Sequence, residues 1–305
     1  MLSASNAMGS TVNWPGAKPI ADLHTHSSAS DGELTPTALV SKARALGLTT
    51  LALTDHDTVA GLDEARAAAE EAGIEFIPGI EIEIDFQPGE FHLLGYGIDA
   101  HSPALRAAIE TLPRARCERN ATILERIAQA GLPLDTARVE ALSRESYIGR
   151  PHLADLLVSS GCARTRQDAF DKYLGKGKPF YVKKTCLPLE EALAVIASAG
   201  GVPAVAHPYS LFVSKAMLGM LFSQWTEMGI HGIEAYHPTA KYGQCAILER
   251  MARDRGMFIT AGSDFHGKAR PECGLGRTAG NMPIDARFRD ELARALRDAR
   301  YSVAP

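Results

Sequence analysis

Short apolar runs alternate with helix-patterned segments along most of this chain, and that alternation restricts the fold more than any other feature. PIADLH (19–24) and LTTLALT (48–54) read as strands, and IEFIPGIEIEI (74–84) and FHLLGYGI (91–98) as two more joined through the turn residues QPGE. GVPAVAH (201–207), HGIEAYH (231–237) and MFITAG (257–262) complete the set. Helical patterns lie between and after them at about 36–46, 58–72, 188–199, 214–228, 240–255 and 286–300, the first capped by Thr35 with Pro36 in its opening turn. Repeated strand–helix units imply parallel strands linked by crossover helices, hence a barrel or an open doubly wound sheet. In such folds reactive groups gather at the carboxyl ends of the strands.

The residues at those ends share one chemistry. His24 and His26 end the first strand pattern, and Asp55 and His56 follow the second. His207 and His237 end two later ones, Asp264 and His266 follow the last, and Glu81 and His92 lie within strands. In ADLHTHSSASDGELTP (21–36) the two histidines are two apart and project to one face of a strand, and the Ser/Gly-rich turn brings Asp31 back to them. Two imidazoles and a carboxylate converging on one point suit a divalent metal. Histidines placed on a surface at random would fall mostly on helices and loops.

With 305 residues, 46% hydrophobic and 22% charged, the chain is long enough for one large α/β domain or a domain carrying an insertion. Residues 1–17 read as a flexible tail, and 18–100 with 186–305 as the strand–helix domain. Residues 101–185 are rich in Arg and Ala and read as a helical insertion with only the short PFYV (179–182) resembling a strand. Glycines and a proline break the longest apolar stretch (192–206), so neither a membrane span nor a secretion signal is expected, and a cytoplasmic location is. Five scattered cysteines without a Cys-x-x-Cys pair argue against a disulfide frame or a zinc ribbon. A net charge of −4 gives no nucleic-acid footprint.

In their order along the chain, DLHTHSSASDG, TDHDT, PGIEI, FHLLGY, AHP and SDFHG resemble the motif series of the polymerase and histidinol phosphatase (PHP) family of metal-dependent phosphoesterases. The resemblance implies a distorted seven-stranded β/α barrel holding three divalent metals. By motif, His24, His26, Glu81 and Asp264 would hold one metal, and Asp31, His56 and His266 a second. Glu81 would bridge to a third, completed by His92 and His207. Glu83 shares the strand parity of Glu81, and the position of Glu81 after Pro-Gly decides for it. Asp55 and Asp57 are expected to orient imidazoles, and Asp264 is a candidate base. Ligands without thiolate suit manganese, iron and zinc alike, and manganese is the ion expected. Three such ions outweigh three carboxylates, which makes an anionic phosphate ester the natural guest and metal-activated water the natural nucleophile.

The insertion is positioned to act as a substrate lid. YIGRPHLADLL (147–157) places Arg150 and His152 at a helix start, where free N–H groups favour an anion. KYLGKGKPFYVKK (172–184) adds five lysines, Lys178 among them. With His237, these are the candidate substrate contacts, whereas Lys268 and Arg270 read as solvated loop charges. The combination resembles the branch of small bacterial phosphatases acting on nucleoside 3′,5′-bisphosphates, some of which trim RNA from its 5′ end. The expected activity is hydrolysis of the 3′-phosphate. The expected partners are a small phosphorylated nucleotide or a short RNA 5′ end, with no DNA duplex and no membrane. The alternatives are a 5′→3′ exoribonuclease, a histidinol phosphate phosphatase and a non-catalytic metal-binding module, the last disfavoured because all nine ligand positions carry competent side chains.

Overall fold

The computed structural model describes residues 20–142 and 148–302, so the segment 1–17 expected to be a tail lies outside the described residues. Strand and helix alternate from the start: β1 (Ile20–Asp22), α1 (Pro36–Ala45), β2 (Leu48–Leu53), α2 (Leu62–Ala72), β3 (Glu75–Ile84) and β4 (Phe91–Tyr96). A helical stretch follows, with α3 (Pro103–Gln129), α4 (Thr136–Leu142), α5 (Arg150–Ser159) and the single turn α6 (Arg166–Ala169). Alternation then resumes with α7 (Leu189–Ser198), β5 (Val202–Val205), α8 (Lys215–Glu227), β6 (Gly232–Tyr236), α9 (Tyr242–Arg253) and β7 (Phe258–Ala261). A small hairpin of β8 (Arg277–Thr278) and β9 (Met282–Pro283) precedes α10 (Arg287–Ser302). Helix α1 begins as its sequence requires: Thr35 Oγ1 accepts from Ala38 N–H at 3.2 Å, and Pro36 occupies the first turn.

The seven main strands form one sheet in sequence order, β1 to β7. This is a distorted seven-stranded β/α barrel whose strands contribute fully buried aliphatics such as Leu51, Leu53, Ile80, Ile82, Leu93 and Ile259 to one hydrophobic core with the surrounding helices. Each contributes about 1.5–3 kcal/mol by leaving water. One strand departs from the expected parallel arrangement. β4 pairs antiparallel with both β3 and β5, because the 85–90 connection is a turn and a crossover needs about a dozen residues.

That reversal has a geometric result. The chain leaves β4 at the end of the barrel opposite the carboxyl ends of the parallel strands. Helix α3, 27 residues long and therefore about 40 Å at 1.5 Å per residue, carries it back. Its first half packs Leu105, Ile109 and Leu112 into the barrel core. Its second half packs Ile123 and Ile127 into a separate core with Leu153, Leu157, Leu174 and Phe180. The PFYV run forms no strand. Phe180 is buried and stacks on Tyr173 at 5.5 Å and 13°, so the apolar pair anchors this second core instead of joining a ladder.

The edge strands β1 and β7 meet at their carboxyl ends through Leu23 N–H to Ala261 O (3.3 Å), Asp264 N–H to His24 O (2.9 Å) and His26 N–H to Phe265 O (3.1 Å). Asp22, fully buried, reinforces the junction. Its carboxylate accepts from Ser263 N–H (3.0 Å), Ser263 Oγ–H (2.6 Å) and Gly276 N–H (2.7 Å). Burial pushes this carboxyl up to about 6 against the pull of those donors. Asp22→Asn sets an amide N–H₂ against a backbone N–H group that can only donate. It should lower stability by about 2–3 kcal/mol, read as a fall in the urea midpoint at unchanged m-value.

Candidate metal centre

Strand alternation and two turns bring the candidate ligands together. Thr25 turns its hydroxyl outward to Ala52 O at 2.6 Å, so His24 and His26 on either side face the barrel interior, both fully buried. The turn returning Asp31 is held by Asp55, whose carboxylate accepts from Ser27 N–H (2.7 Å), Ser27 Oγ–H (2.7 Å) and Ser30 Oγ–H (2.6 Å). Asp55 therefore shapes the loop and does not orient an imidazole as expected. Gly32 is required there, since a Cβ would lie 2.3 Å from His26 O. Asp57 also departs from expectation: it pairs with Arg116 at 2.6 Å and Lys184 at 3.0 Å, fastening the helical segment to the barrel.

The nine sequence-derived ligand candidates converge at the carboxyl ends of the strands. Three groupings place their donor atoms within 4.8 Å of one another: His24, His26, Glu81 and Asp264; His26, Asp31, His56 and His266; and His56, Glu81 and His92. His26 and His56 each belong to two groupings, which the motif assignment did not anticipate. His207 joins through Nε2, 3.0 Å from Glu81 Oε1. Glu83 instead faces Lys184 and lies outside all three groupings.

Hydrogen bonds on the far side of the rings show what these atoms await. Burial raises the Glu234 carboxyl, but His24, His237 and His207 around it hold it below the ordinary range. It therefore accepts from His24 Nδ1–H at 3.0 Å, leaving a lone pair on His24 Nε2. That lone pair lies 3.1 Å from His26 Nε2, 3.4 Å from Glu81 Oε2 and 3.5 Å from Asp264 Oδ1, a convergence of donor atoms that a shared cation would satisfy. His266 Nδ1–H donates to Asp264 O at 2.8 Å, aiming Nε2 at Asp31 Oδ1. Ser210 Oγ–H is committed to Glu90 O at 2.8 Å, so this hydroxyl accepts from His207 Nδ1–H at 2.9 Å and His207 Nε2 is again a lone pair. The buried atoms His26 Nδ1, Glu81 Oε2 and His266 Nε2 have no hydrogen-bond partner. Burial lowers the proton affinity of His26 and His92, yet the neighbouring carboxylates raise both to about 9. A hard or borderline divalent cation fits this donor set.

His237 has the opposite tautomer. Thr239 N–H donates to its Nδ1 at 3.3 Å, so Nε2–H points to Asp264 Oδ2 at 3.3 Å, making His237 a proton donor to the cluster. Glu234 carries no motif in the sequence. Its only signal is one carboxylate inside the apolar run GIEAY, where burial demands a partner.

The cluster opens into a cleft of about 660 Å³ between barrel and helical segment. Arg150 and Lys178 line it as expected, Arg150 lying 6.0 Å from the Tyr181 ring centre and 3.5 Å from Glu90. His152 does not: its Nδ1 accepts from Gly149 N–H at 3.1 Å, capping its own helix. Arg270 is no solvated loop charge, because it lines the cleft and bonds Asp264. Arg119, which the sequence did not single out, also lines the cleft, buried and steered by two bonds to Asn120 Oδ1.

The PHP domain family matches residues 22–147, running into the helical segment. The chain is 35% identical over 287 residues to a 3′,5′-nucleoside bisphosphate phosphatase of Chromobacterium violaceum, covering 91% of this chain and 98% of that one. It is 36% identical over 245 residues to a 5′-3′ exoribonuclease of Haemophilus influenzae, covering 80% and 89% respectively. A solved structure from Bifidobacterium adolescentis, classed as a metal-dependent phosphoesterase, superposes with a TM-score of 0.75 at 34% identity, covering 90% and 96%. Because Glu234 fixes the His24 tautomer, Glu234→Gln, which can present its N–H₂ to the ring instead, should weaken metal binding about 10–100-fold. Manganese titration followed by calorimetry checks this, and unchanged affinity would leave Glu234 a packing residue.

Proposed function

Because the chain belongs to the PHP-domain family of metal-dependent phosphoesterases, we propose that it removes the 3′-phosphate from nucleoside 3′,5′-bisphosphates. The observation that carries this reading is one cleft lined both by Asp31, His56 and His92 of the cation-seeking cluster and by Arg119, Arg150 and Lys178. A cluster that would hold cations and a set of basic side chains in the same cleft suit a substrate with two phosphates. The name of the Chromobacterium violaceum relative supports the same choice.

His24, His26, Asp31, His56, Glu81, His92, His207, Asp264 and His266 would hold three divalent ions, manganese first. The chemistry such ions supply is Lewis acidity, neutralising phosphoryl charge and lowering the pKa of water. The protein's own groups do the positioning. Glu234, Ser210 and Asp264 O hold three imidazoles with lone pairs inward. Burial raises the Asp264 carboxyl, but Arg270, His266 and His24 hold it well below the usual range, which suits a ligand better than a base. Arg119, oriented by Asn120, and Arg150, against Tyr181, offer planar donors to the non-reacting phosphate. Lys184 is committed to Asp57 and Glu83 and serves to join barrel and insertion.

A 5′-phosphorylated RNA end would engage the same arginines, and the Haemophilus influenzae relative supports that second reading. A panel of adenosine 3′,5′-bisphosphate, 5′-phosphorylated oligoribonucleotide, histidinol phosphate and an aryl phosphate separates them. The bisphosphate should exceed the aryl ester at least about tenfold in kcat/KM. Equal rates on all four would remove the substrate assignment and leave the phosphoesterase one.

Arg150→Ala and Asp264→Asn should fail differently. The first should cost about 1.5–3 kcal/mol on the bisphosphate and little on the aryl ester. The second should lower metal content and kcat on every substrate. Equal damage to both esters by Arg150→Ala would make the insertion structural.

A further inference from the structure

We infer that Phe212 is a stacking platform for the substrate's nucleobase, an assignment that rests on the nucleoside reading above. Phe212 follows the short turn Pro208–Leu211 and is 76% exposed, yet it lines the same cleft as Arg150 and Tyr181. A large apolar ring left in water at the mouth of a charged cleft is covered by nothing in the described protein. A flat aromatic ligand group is the chemistry it fits, since every base presents a π-face and stacking tolerates any of them.

The backbone supports a purpose for this placement. Phe212 sits at φ 51°, ψ 36°, a left-handed conformation that strains a bulky L-residue and persists where surrounding structure enforces it. The enforcement is visible. Glu90 N–H donates to Ser210 O at 2.8 Å, and Ser210 Oγ–H donates to Glu90 O at 2.8 Å. A Cβ on Gly89 would lie 2.2 Å from Ser210 O and 2.3 Å from Leu211 C, so the two turns touch backbone to backbone. Ser210 also receives the His207 Nδ1–H bond. The ring is thus mounted two residues from a group that orients a candidate metal ligand, giving base and reacting phosphate a common frame.

Calorimetry on the full chain with adenosine 5′-monophosphate and with ribose 5-phosphate, the same sugar phosphate without a base, tests the assignment. The wild type should bind the nucleotide at least about tenfold more tightly, the lower range of base–aromatic stacking. Phe212→Ala should reduce that ratio to within about twofold, Phe212→Leu should lose most of it, and Phe212→Trp should keep it. A wild-type ratio near one, or a ratio unaltered in Phe212→Ala, overturns the platform. Hydrolysis of adenosine 3′,5′-bisphosphate, measured alongside, separates the two readings. Normal hydrolysis with an unaltered ratio sinks the platform alone, whereas a collapsed ratio without hydrolysis keeps the platform and sinks the reaction assignment.

Discussion

The junction of the first and seventh strands is the constraint from which the centre follows. Asp22 binds the backbone and hydroxyl of Ser263 and the backbone of Gly276, and three main-chain bonds continue the contact to Phe265. Without that seam, HTH at 24–26 and SDFH at 263–266 would lie at opposite edges of an open sheet. With it, His26 and His266 stack at 4.1 Å between ring centres, and four of the nine ligand candidates fall into contact. A buried carboxylate is a costly way to join two strands. Here it is offset by several donors that would otherwise be orphaned.

The cluster's electrostatics are arranged in two layers. Inside, carboxylates and imidazole lone pairs face one another and favour added positive charge. Outside, Glu234, Ser210 and a backbone carbonyl consume the opposite ring nitrogens of His24, His207 and His266 and leave these three imidazoles one role each. His237 shows how little separates a ligand from a donor: one N–H, from Thr239, reverses its tautomer.

The strand ends and their chemistry are legible in the sequence because apolar runs must stop where polar groups begin, and the stops coincide with histidine and carboxylate. Thr35 and Pro36 declare a helix start for the same local reason. What escapes has a physical cause each time. The direction of β4 depends on connection length rather than on its residues. Glu234 has no spacing partner in sequence, as its bond is to His24. Arg119 sits in a helix that also carries Arg114, Arg116 and Arg126, and only folding reveals which guanidinium faces the cleft. The role of Arg270 follows from its side-chain bond to Asp264, and that of His152 from its bond to the Gly149 backbone at the start of its own helix.

Helix α3 belongs to two cores at once, with Leu105 in one and Ile127 in the other. The helical segment is therefore not a detachable module. Exchanging it for another would cut the helix that helps cover the barrel, so a graft at either end of it would damage the host. Single side-chain replacements along the cleft leave that shared helix intact, and they are the changes of specificity this architecture accommodates.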